Sequence, residues 1–336
     1  IIQPAPDYDA KPQLVGIARL ASEGEHLGRG HDVEYLTIPV RSLLNKCNAP
    51  RMPFTWTINP YRGCEFACKY CYARYTHEFM ELRDSLDFEK KIFAKQSAAW
   101  LLRRDLKRVK PGEEIAIGTA TDPYQPAERK FHITRGIMEE MAQHAGLSIG
   151  VVTKSALVLR DIDVLQAIAA RNELFVNMTI TTLDAQLARI LEPRAPRPDL
   201  RLEAVRRLNL AGIPAGVICA PVVPGLTDSD EQLEALVAAV AAAGGRYVYA
   251  NALFLKPCSE AVFMPFLQKE FPHLAPRYER MYAGNAFLNA GYGKRLSQTM
   301  ARLRRQYGII DRSQARQAAH QVVRGNEQLG LFAPAV

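Results

Sequence analysis

The sequence lacks any uninterrupted apolar run of about eighteen residues, the length that a membrane-spanning helix needs. It also lacks low-complexity segments, and its first residues, IIQPAPDYDAKPQ, do not follow the charged and then apolar plan of a signal peptide. The 336 residues are 48% hydrophobic and 23% charged, which provides ample apolar material for a buried core. We therefore expect a cytoplasmic globular protein with no membrane partner.

Cysteine is scarce and unevenly spread. Three of the six cysteines, Cys64, Cys68 and Cys71, fall within eight positions, and the other three are dispersed. Such clustering does not resemble a disulfide framework and favours a reducing compartment. Of the dispersed cysteines, Cys47 precedes the regular part of the chain, and we expect a structural role for it.

Acidic residues are outnumbered: 43 Lys and Arg oppose 35 Asp and Glu, which gives a formal net charge of +8. A basic surplus of this size is compatible with nucleic acid, acidic protein or anionic small molecules as partners. It is equally compatible with a well-solvated surface, so charge alone does not identify the partner.

Strand-like and helix-like segments alternate about six times between residues 54 and 254, at the spacing of βα units. The predicted strands are apolar on both sides, as buried parallel strands are. They cover residues 54–61, 114–119, 147–154, 174–181, 214–223 and 246–254. The predicted helices cover residues 90–106, 129–144, 161–171, 199–212 and 229–245. Two folds fit this pattern, a doubly wound open sheet and a TIM-like barrel.

The domain plan follows from the same pattern. Residues 1–50 contain scattered Pro and Gly with few periodic runs, so we expect an N-terminal arm that wraps the core. We expect the partial barrel to occupy residues 51–256 and a helical extension to occupy residues 257–336.

Polar residues cluster where the predicted strands end. Active sites of barrels are built at the carboxyl ends of the strands, so these residues are candidates for a site. The clusters are Thr121-Asp122, Thr153-Lys154-Ser155, Thr179 to Thr182, and Pro224-Gly225.

The three clustered cysteines have the spacing Cys-x-x-x-Cys-x-x-Cys. Thiolates are soft ligands that suit zinc or an iron–sulfur cluster. A zinc site would need a fourth ligand, which His77 could supply. A cubane cluster held by three cysteines would instead leave one iron able to bind another ligand.

The motif Cys64-x-x-x-Cys68-x-Tyr70-Cys71 at the end of a first barrel strand resembles the signature of the radical S-adenosylmethionine (radical SAM) superfamily. The surrounding segments resemble its spore photoproduct lyase-like branch, often labelled DNA repair photolyase, over about residues 35–255. These segments are NPYRGCEFACKYCYAR, GTATDPYQPAERK, TKSALVLRD, TITTLD, EPRAPRPDLRLEAVRRLNLAGIP and PVVPGLTD.

The resemblance implies a partial (β/α)6 TIM-like barrel that holds a [4Fe–4S] cluster on the three cysteines. The open iron would chelate S-adenosylmethionine (SAM), and one electron from a donor such as flavodoxin or ferredoxin would yield a 5′-deoxyadenosyl radical. The protein would place the cofactor and exclude water, since the cofactor carries the difficult chemistry. The residues implied in SAM binding are Tyr70, Thr121, Asp122, Thr153, Lys154, Ser155, Thr179 and Thr181. Of these, Lys154 suits the SAM carboxylate and Tyr70 the adenine.

The sequence departs from the lyase at Thr119, where the lyase pattern has a cysteine that returns hydrogen. A hydroxyl is a poor hydrogen-atom donor because its O–H bond is far stronger than a thiol S–H bond. If they face the barrel, Cys219 and Cys258 could substitute, and Tyr247 and Tyr249 are further candidates. A buried cysteine is otherwise an ordinary small hydrophobe.

Three more residues lie near the motif. Arg62 and Arg74 flank the cysteines and could tune the cluster by charge or pair with acids. Glu192 follows the fourth unit and could meet Arg201 in a structural pair.

Three functions remain open on the sequence alone. The first is a radical SAM enzyme that acts on nucleic acid, by an extruded base if the site is buried. The second is a radical SAM enzyme that acts on a small molecule, a peptide or a protein, which the missing cysteine favours. The third is a zinc-binding protein without catalytic activity.

Overall fold

Two β-sheets surrounded by helices organise the chain, and the computed structural model describes residues 14–49 and 52–315. The strands are β1 (His26–Gly30), β2 (Val33–Thr37), β3 (Asn45–Lys46), β4 (Trp56–Ile58), β5 (Tyr61–Arg62), β6 (Lys91–Ala94), β7 (Glu114–Ile117), β8 (Ser148–Thr153), β9 (Glu173–Thr179), β10 (Ala215–Val222) and β11 (Val248–Ala252). The α-helices are α1 (Gly16–Ser22), α2 (Tyr75–Glu78), α3 (Asp87–Lys90), α4 (Ala98–Asp105), α5 (Glu128–Phe131), α6 (Ile133–Ala142), α7 (Ile162–Ala169), α8 (Ala185–Leu191), α9 (Pro198–Leu210), α10 (Asp230–Ala242), α11 (Pro257–Glu270), α12 (Ala275–Tyr282) and α13 (Ala290–Gln306).

The larger sheet has the strand order β11-β10-β9-β8-β7-β4-β3. Its strands β4, β7, β8, β9, β10 and β11 are parallel, and β3 runs antiparallel to β4. The spatial order of the parallel strands follows the chain without reversal, as in a barrel, whereas a doubly wound sheet reverses direction midway. The predicted partial (β/α)6 architecture is therefore confirmed. Within the described residues, the edge strands β3 and β11 do not pair, so the barrel is open on one side.

The sequence explains why these segments form strands and helices. All seven residues of β9, ELFVNMT, are buried, because helices cover one face and the barrel interior the other. Helix α10 begins at a capping box in which Ser229 and Gln232 bond each other's backbone amides. Helix α9 begins with Pro198, whose fixed φ suits a first helical turn.

The barrel interior is filled at the amino-terminal ends of its strands. The Tyr247 hydroxyl donates to Asn177 Oδ1 at 2.9 Å on the face opposite the helices. Arg312, which follows α13 in the chain, forms a buried ion pair with Glu114 at the start of β7. These side chains close the lower end of the barrel, so the carboxyl ends of the strands are left to form a site.

The smaller sheet has the order β1-β2-β6-β5 and corrects one prediction. The predicted helix over residues 90–106 is wrong at its start, because residues 91–94 form β6 and α4 begins only at Ala98. The side chains of Ile92 and Phe93 are buried where β6 pairs with β2 and β5, and such residues fit a pleated surface well. These pairings are distant in sequence, so a local helical pattern could not reveal them.

The terminal regions are partly described. The described part of the predicted N-terminal arm contains α1, β1, β2 and β3, and residues 1–13 lie outside the described residues. Residues 257–306 contain the two long helices α11 and α13 and the short helix α12 between them, whereas residues 316–336 lie outside the described residues. Throughout residues 14–49 and 52–315, every helix is too short or too polar to cross a membrane.

The close contact between β10 and β11 predicts a sensitive glycine. A Cβ on Gly216 would lie 2.6 Å from ring atoms of Tyr247 and from its carbonyl oxygen. We expect Gly216→Ala to lower the free energy of unfolding by about 1–3 kcal/mol, measured by urea denaturation. The matched control is Gly136→Ala in α6, where the nearest atom is 3.9 Å away, and which should be neutral or stabilising. Equal effects of the two substitutions would contradict this packing.

Candidate functional site

The three clustered cysteines lie in one loop that follows β5. The Cys64 amide donates to the carbonyl of Phe88 at 2.9 Å, and the Cys71 amide donates to the carbonyl of Cys68 at 3.2 Å. All three side chains join one apolar cluster with Phe66 and Tyr70, in which Cys68 is buried and Cys64 and Cys71 are half-buried. The loop therefore brings the three thiols to the same buried region, above the carboxyl ends of the parallel strands.

Burial raises the pKa of all three thiols, that of Cys68 to about 12. For Cys68, the negative charge of Glu192 adds to this effect, while the positive charge of Lys154 opposes it. A thiolate at these positions therefore needs a strongly positive partner such as a metal centre, whose binding would release protons.

The donor set fits an iron–sulfur cluster better than a single ion. Within the described residues, no three His, Cys, Asp or Glu side chains converge on one point that could hold a metal ion. A four-iron cluster is bound by soft thiolates on separate irons, so its cysteine sulfurs lie further apart than the ligands of a single ion. The buried Cys68 and the half-buried Cys64 and Cys71, all from one short loop, supply such a set.

The ring of His77 is packed in the protein core and has a structural role. Its ring lies between Phe88 and Phe93, at centroid distances of 5.2 Å and 5.9 Å, and Nε2 donates to the carbonyl of Lys91 at 3.0 Å. Burial lowers the pKa of His77 to about 4, so the ring is neutral. Nothing in residues 14–49 and 52–315 joins His77 to the cysteines as a fourth zinc ligand.

A second layer of residues holds the cysteine loop. The Gly63 carbonyl accepts hydrogen bonds from the hydroxyl of Thr121 at 2.5 Å and from Gln125 Nε2 at 3.1 Å. Gln125 Oε1 accepts from the Glu65 amide at 3.0 Å. Thr121, predicted as a SAM contact, therefore anchors the loop through its hydroxyl. Nothing in the sequence singles out Gln125, although the PYQPAE segment that contains it belongs to the family resemblance.

Arg74 pairs with an acidic residue, which is one of the two roles that the sequence left open. Its guanidinium forms a buried ion pair with Glu89 at 2.7 Å and donates to the Cys68 carbonyl at 3.2 Å. The positive charge of Arg74 opposes the burial effect on the pKa of Cys71. A cation that touches the loop backbone in this way stabilises thiolate character in the loop.

The ends of β7 and β8 are joined by Asp122. Its Oδ1 accepts from the hydroxyl of Thr153 at 2.7 Å, and its Oδ2 accepts from the Lys154 amide at 2.7 Å. Thr153 Oγ1 in turn accepts from the Ser155 amide at 2.9 Å, and Ser155 caps the following turn at Leu157. Burial raises the pKa of Asp122 even though these bonds oppose that effect. The polar residues predicted at these two strand ends form one network.

The end of β9 is organised by Glu192, which is 1% exposed. Its carboxylate accepts from the hydroxyl of Tyr70 and from that of Thr181, the latter at 3.1 Å. Arg201, also 1% exposed, lies 2.5 Å away, and Lys154 Nζ lies 3.9 Å away. The predicted contact between Glu192 and Arg201 is confirmed, and Glu192 links the cysteine loop to three further parts of the chain.

Two features of this network bear on cofactor binding. Arg201 donates to the Thr179 carbonyl at 3.1 Å, which fixes the end of β9. Lys154 Nζ lies 5.8 Å from the ring centroid of Tyr70, and its one ion pair in the described residues is the long contact with Glu192. Its ammonium can therefore still bind a carboxylate group of a ligand.

Of the four candidate hydrogen donors, Tyr247 and Tyr249 pack in one cluster, apart from Cys219 and Cys258. Cys219 is fully buried in the core between β10 and the helices, against residues of α10, rather than in the barrel interior. Tyr247 lies at the closed lower end of the barrel with Asn177. Tyr249 pairs in register with Ile218 on the interior face, and burial raises its pKa to about 12. Alternation along a strand decides which face of the sheet each of these side chains occupies. A short run of apolar residues does not show from the sequence which residues face the barrel interior.

Cys258 lies close to the cysteine loop. Its thiol sulfur is 3.5 Å from the carbonyl oxygen of Tyr72, the residue after Cys71. The phenol of Tyr72 donates to the carbonyl of Thr119, the position that departs from the lyase pattern. Cys258 therefore contacts the backbone of Tyr72, whereas the phenol of Tyr72 contacts Thr119.

A cavity of about 450 Å³ opens beside the cysteine loop. Thr119 and Tyr72 line it, together with Arg62, Lys95 and Cys47. Cys47, which the sequence suggested was structural, therefore lies on the wall of a cavity. The sequence pattern does not predict a role for Lys95, because it places Lys95 inside a helix, whereas in the structure Lys95 directly follows β6.

Comparison with known proteins identifies the family of this arrangement. The family model described as the radical SAM superfamily matches residues 58–237. An uncharacterised protein of Mycobacterium tuberculosis is 34% identical over 299 residues, which cover 88% of this chain and 86% of the relative. An uncharacterised protein of Methanocaldococcus jannaschii is 30% identical over 196 residues, which cover 58% of this chain and 70% of the relative.

Among solved structures, spore photoproduct lyase has a similar fold. Its complex with dinucleoside spore photoproduct superposes with a TM-score of 0.61 and 16% identity, covering 90% of this chain and 85% of the lyase chain. A mutant of the lyase with bound AdoMet and dinucleoside spore photoproduct gives a TM-score of 0.62 and 17% identity, over 81% and 79% of the two chains. At this identity, the likeness establishes the fold.

The Glu192 network predicts a pH-dependent contribution to stability. Burial alone would raise the pKa of Glu192, but Arg201 and Lys154 bring it below the ordinary value of 4.5. The stabilisation is therefore complete above about pH 4.5 and is lost as pH falls through the lower pKa of the folded state. We expect Glu192→Gln to cost about 3–5 kcal/mol of unfolding free energy at pH 7, because Arg201 loses its charged partner.

The measurement is urea denaturation of both proteins at several pH values, and the difference should shrink below about pH 4.5. Glu203→Gln, on the exposed face of α9 next to Arg206, is the matched control and should cost less than about 1 kcal/mol. A difference for Glu192→Gln that does not change with pH would contradict the charged network.

Proposed function

Because the chain belongs to the radical SAM superfamily, we propose that Cys64, Cys68 and Cys71 hold its [4Fe–4S] cluster. The protein is a radical SAM enzyme, and its cofactors are this cluster and SAM. The observation that carries the ligand assignment is the loop that brings three thiols into one apolar cluster above the parallel strands. When bound, the cluster supplies the electron that cleaves SAM and yields a 5′-deoxyadenosyl radical.

Residues at the strand ends bind and orient SAM in this proposal. The Lys154 ammonium, which has only a long ion pair, binds the SAM carboxylate. Tyr70, Thr179 and Thr181 lie around the Glu192 network and form the adenosine side of the site. The network keeps Tyr70 in one orientation, because its hydroxyl is bonded to both Thr181 and Glu192.

A second group of residues positions these contacts. Thr121 fixes the cysteine loop through Gly63. Asp122, Thr153 and Ser155 set the backbone from which Lys154 projects. Since placement within a few tenths of an ångström matters for reactions at a bound cofactor, substitutions here should alter turnover through geometry.

The substrate proposal is a nucleic acid, from which the enzyme abstracts a hydrogen atom. Support comes from the net charge of +8 and from the fold shared with spore photoproduct lyase. The alternative is a small molecule, a peptide or a protein, which is favoured by Thr119 at the position of the lyase cysteine. An electron donor such as flavodoxin or ferredoxin would act as the partner, in the cytoplasm.

Hydrogen return would fall to another residue than Thr119. Cys258 lies at Tyr72 beside the cysteine loop and is the stronger proposal. Cys219, Tyr247 and Tyr249 are weaker proposals, because Cys219 is buried against helices and the two tyrosines pack together at the closed end. The deuterium content of the product should change in Cys258→Ala and stay unchanged in Tyr249→Phe.

Removal of one cluster ligand tests the assignment of the cysteines. We expect Cys71→Ala to lose the four-iron cluster after anaerobic reconstitution and to form no 5′-deoxyadenosine with dithionite and SAM. Iron and sulfide analysis, the electron paramagnetic resonance spectrum of the reduced protein and chromatography of the products measure these losses. Cys219→Ala, which also removes one thiol, should keep the cluster and the SAM-dependent change of the spectrum. Retained SAM cleavage in Cys71→Ala would refute the ligand assignment.

Salt dependence tests the nucleic-acid substrate. We expect a labelled single-stranded oligonucleotide to bind the reconstituted enzyme in low salt and to bind at least tenfold more weakly in 200 mM salt. Binding of a basic protein releases cations that are condensed on the nucleic acid, and this release is less favourable when the salt concentration is high. Fluorescence anisotropy at two salt concentrations measures both affinities. No binding in low salt would exclude this substrate class and favour the small-molecule or peptide alternative.

A further inference from the structure

The side cavity next to the cysteine loop has an unbalanced charge. Arg62 on β5 and Lys95 after β6 line it, and Lys46 on β3 adds a third positive side chain at the exposed rim. Every other described residue on the wall is neutral, so no Asp or Glu lines the cavity. An anion inside it would meet two cations and no repelling charge.

Within residues 14–49 and 52–315, neither the buried Lys95 nor the half-buried Arg62 has an acidic partner. Lys95 is 4% exposed, and its Nζ makes one hydrogen bond, a donation to the Asn59 carbonyl at 2.6 Å. The Arg62 Nε is buried without a hydrogen-bond partner.

This arrangement is costly unless something offsets it. A buried charge normally has a partner of opposite sign, and two adjacent buried cations repel each other. The same chain supplies such partners elsewhere, since Arg74 has Glu89 and Arg201 has Glu192. The exception at Arg62 and Lys95 coincides with the cavity, where a ligand could supply the opposite charge.

The remaining wall adds an aromatic surface. Tyr75 and Phe79 make an edge-to-face contact at 5.6 Å on one side of the cavity, and Phe79 is 63% exposed. Tyr72 and Thr119 connect this surface to the cysteine loop. A ligand with a flat apolar part and an oxyanion would match both surfaces of the cavity.

We propose that this cavity is a substrate subsite, in which Arg62 and Lys95 bind a phosphate or carboxylate group of the substrate. The guanidinium of Arg62 presents paired N–H donors that match two oxygens of such a group, and Lys95 adds a point charge. Tyr75 and Phe79 hold the adjoining flat part. The inference rests on the proposed function, because it assigns the cavity to the substrate of that enzyme.

The test measures binding rather than turnover. The reconstituted full-length chain with SAM is titrated with phenyl phosphate, benzoate and neutral benzamide, by calorimetry or ligand-observed NMR. We expect at least one oxyanion to bind tenfold or more tightly than benzamide. Tighter binding of phenyl phosphate assigns a phosphate-bearing substrate, and tighter binding of benzoate assigns a carboxylate. Equal binding of all three probes would overturn the proposal.

Variants locate the binding. Lys95→Met should weaken oxyanion binding about tenfold or more, Arg62→Gln should do the same, and Lys95→Arg should retain most of it. Lys294→Met removes an exposed charge on α13 and should change nothing. If Lys95 only supports the Asn59 carbonyl, Lys95→Met will lower the melting temperature and leave probe affinity unchanged, which would refute the subsite.

The two proposals fail in different ways. Cluster content and 5′-deoxyadenosine formation are measured on the same wild-type preparation as probe binding. A protein that binds oxyanions through Lys95 but holds no cluster would contradict the proposed function only. One that cleaves SAM but does not prefer oxyanions would contradict the subsite only.

Discussion

The buried carboxylate of Glu192 is the interaction on which the site depends. It lies between Arg201 and Lys154 and accepts the hydroxyl of Tyr70, so it joins a helix, the end of a strand and the cysteine loop. A carboxylate at this depth is tolerable only because two cations and two hydroxyls surround it. Its charge therefore requires several remote parts of the chain to fold together before the site can form.

The sequence predicts the local parts of this arrangement well. The alternation of strands and helices predicts a parallel α/β fold, and the family resemblance that the cysteine motif carries implies both the barrel and its cofactors. Strand β6 was missed because Ile92 and Phe93 owe their conformation to pairing with strands that are distant in sequence. The central role of Glu192 and the side cavity were missed for the same reason, since both are made of residues that only the fold brings together.

The buried and half-buried cations of this region differ in whether a carboxylate pairs with them. Arg74 and Arg201 have carboxylates within 2.7 Å, and both serve to hold the architecture around the cysteines. Arg62 and Lys95 have no such partner in the described residues, and they lie where the molecule is open. The free energy of unfolding is then smaller than it would be with paired charges. Binding of an anion to the folded protein would increase it again.

The closed lower end of the barrel has a kinetic consequence. Among the described residues, the side chains of Tyr247, Asn177, Glu114 and Arg312 fill the interior there, which leaves the upper end of the barrel as a route to the strand ends. Two ligands that enter by this route cannot exchange independently of each other. The molecule in the deeper position must arrive first and leave last, which favours a compulsory order of binding over a random one.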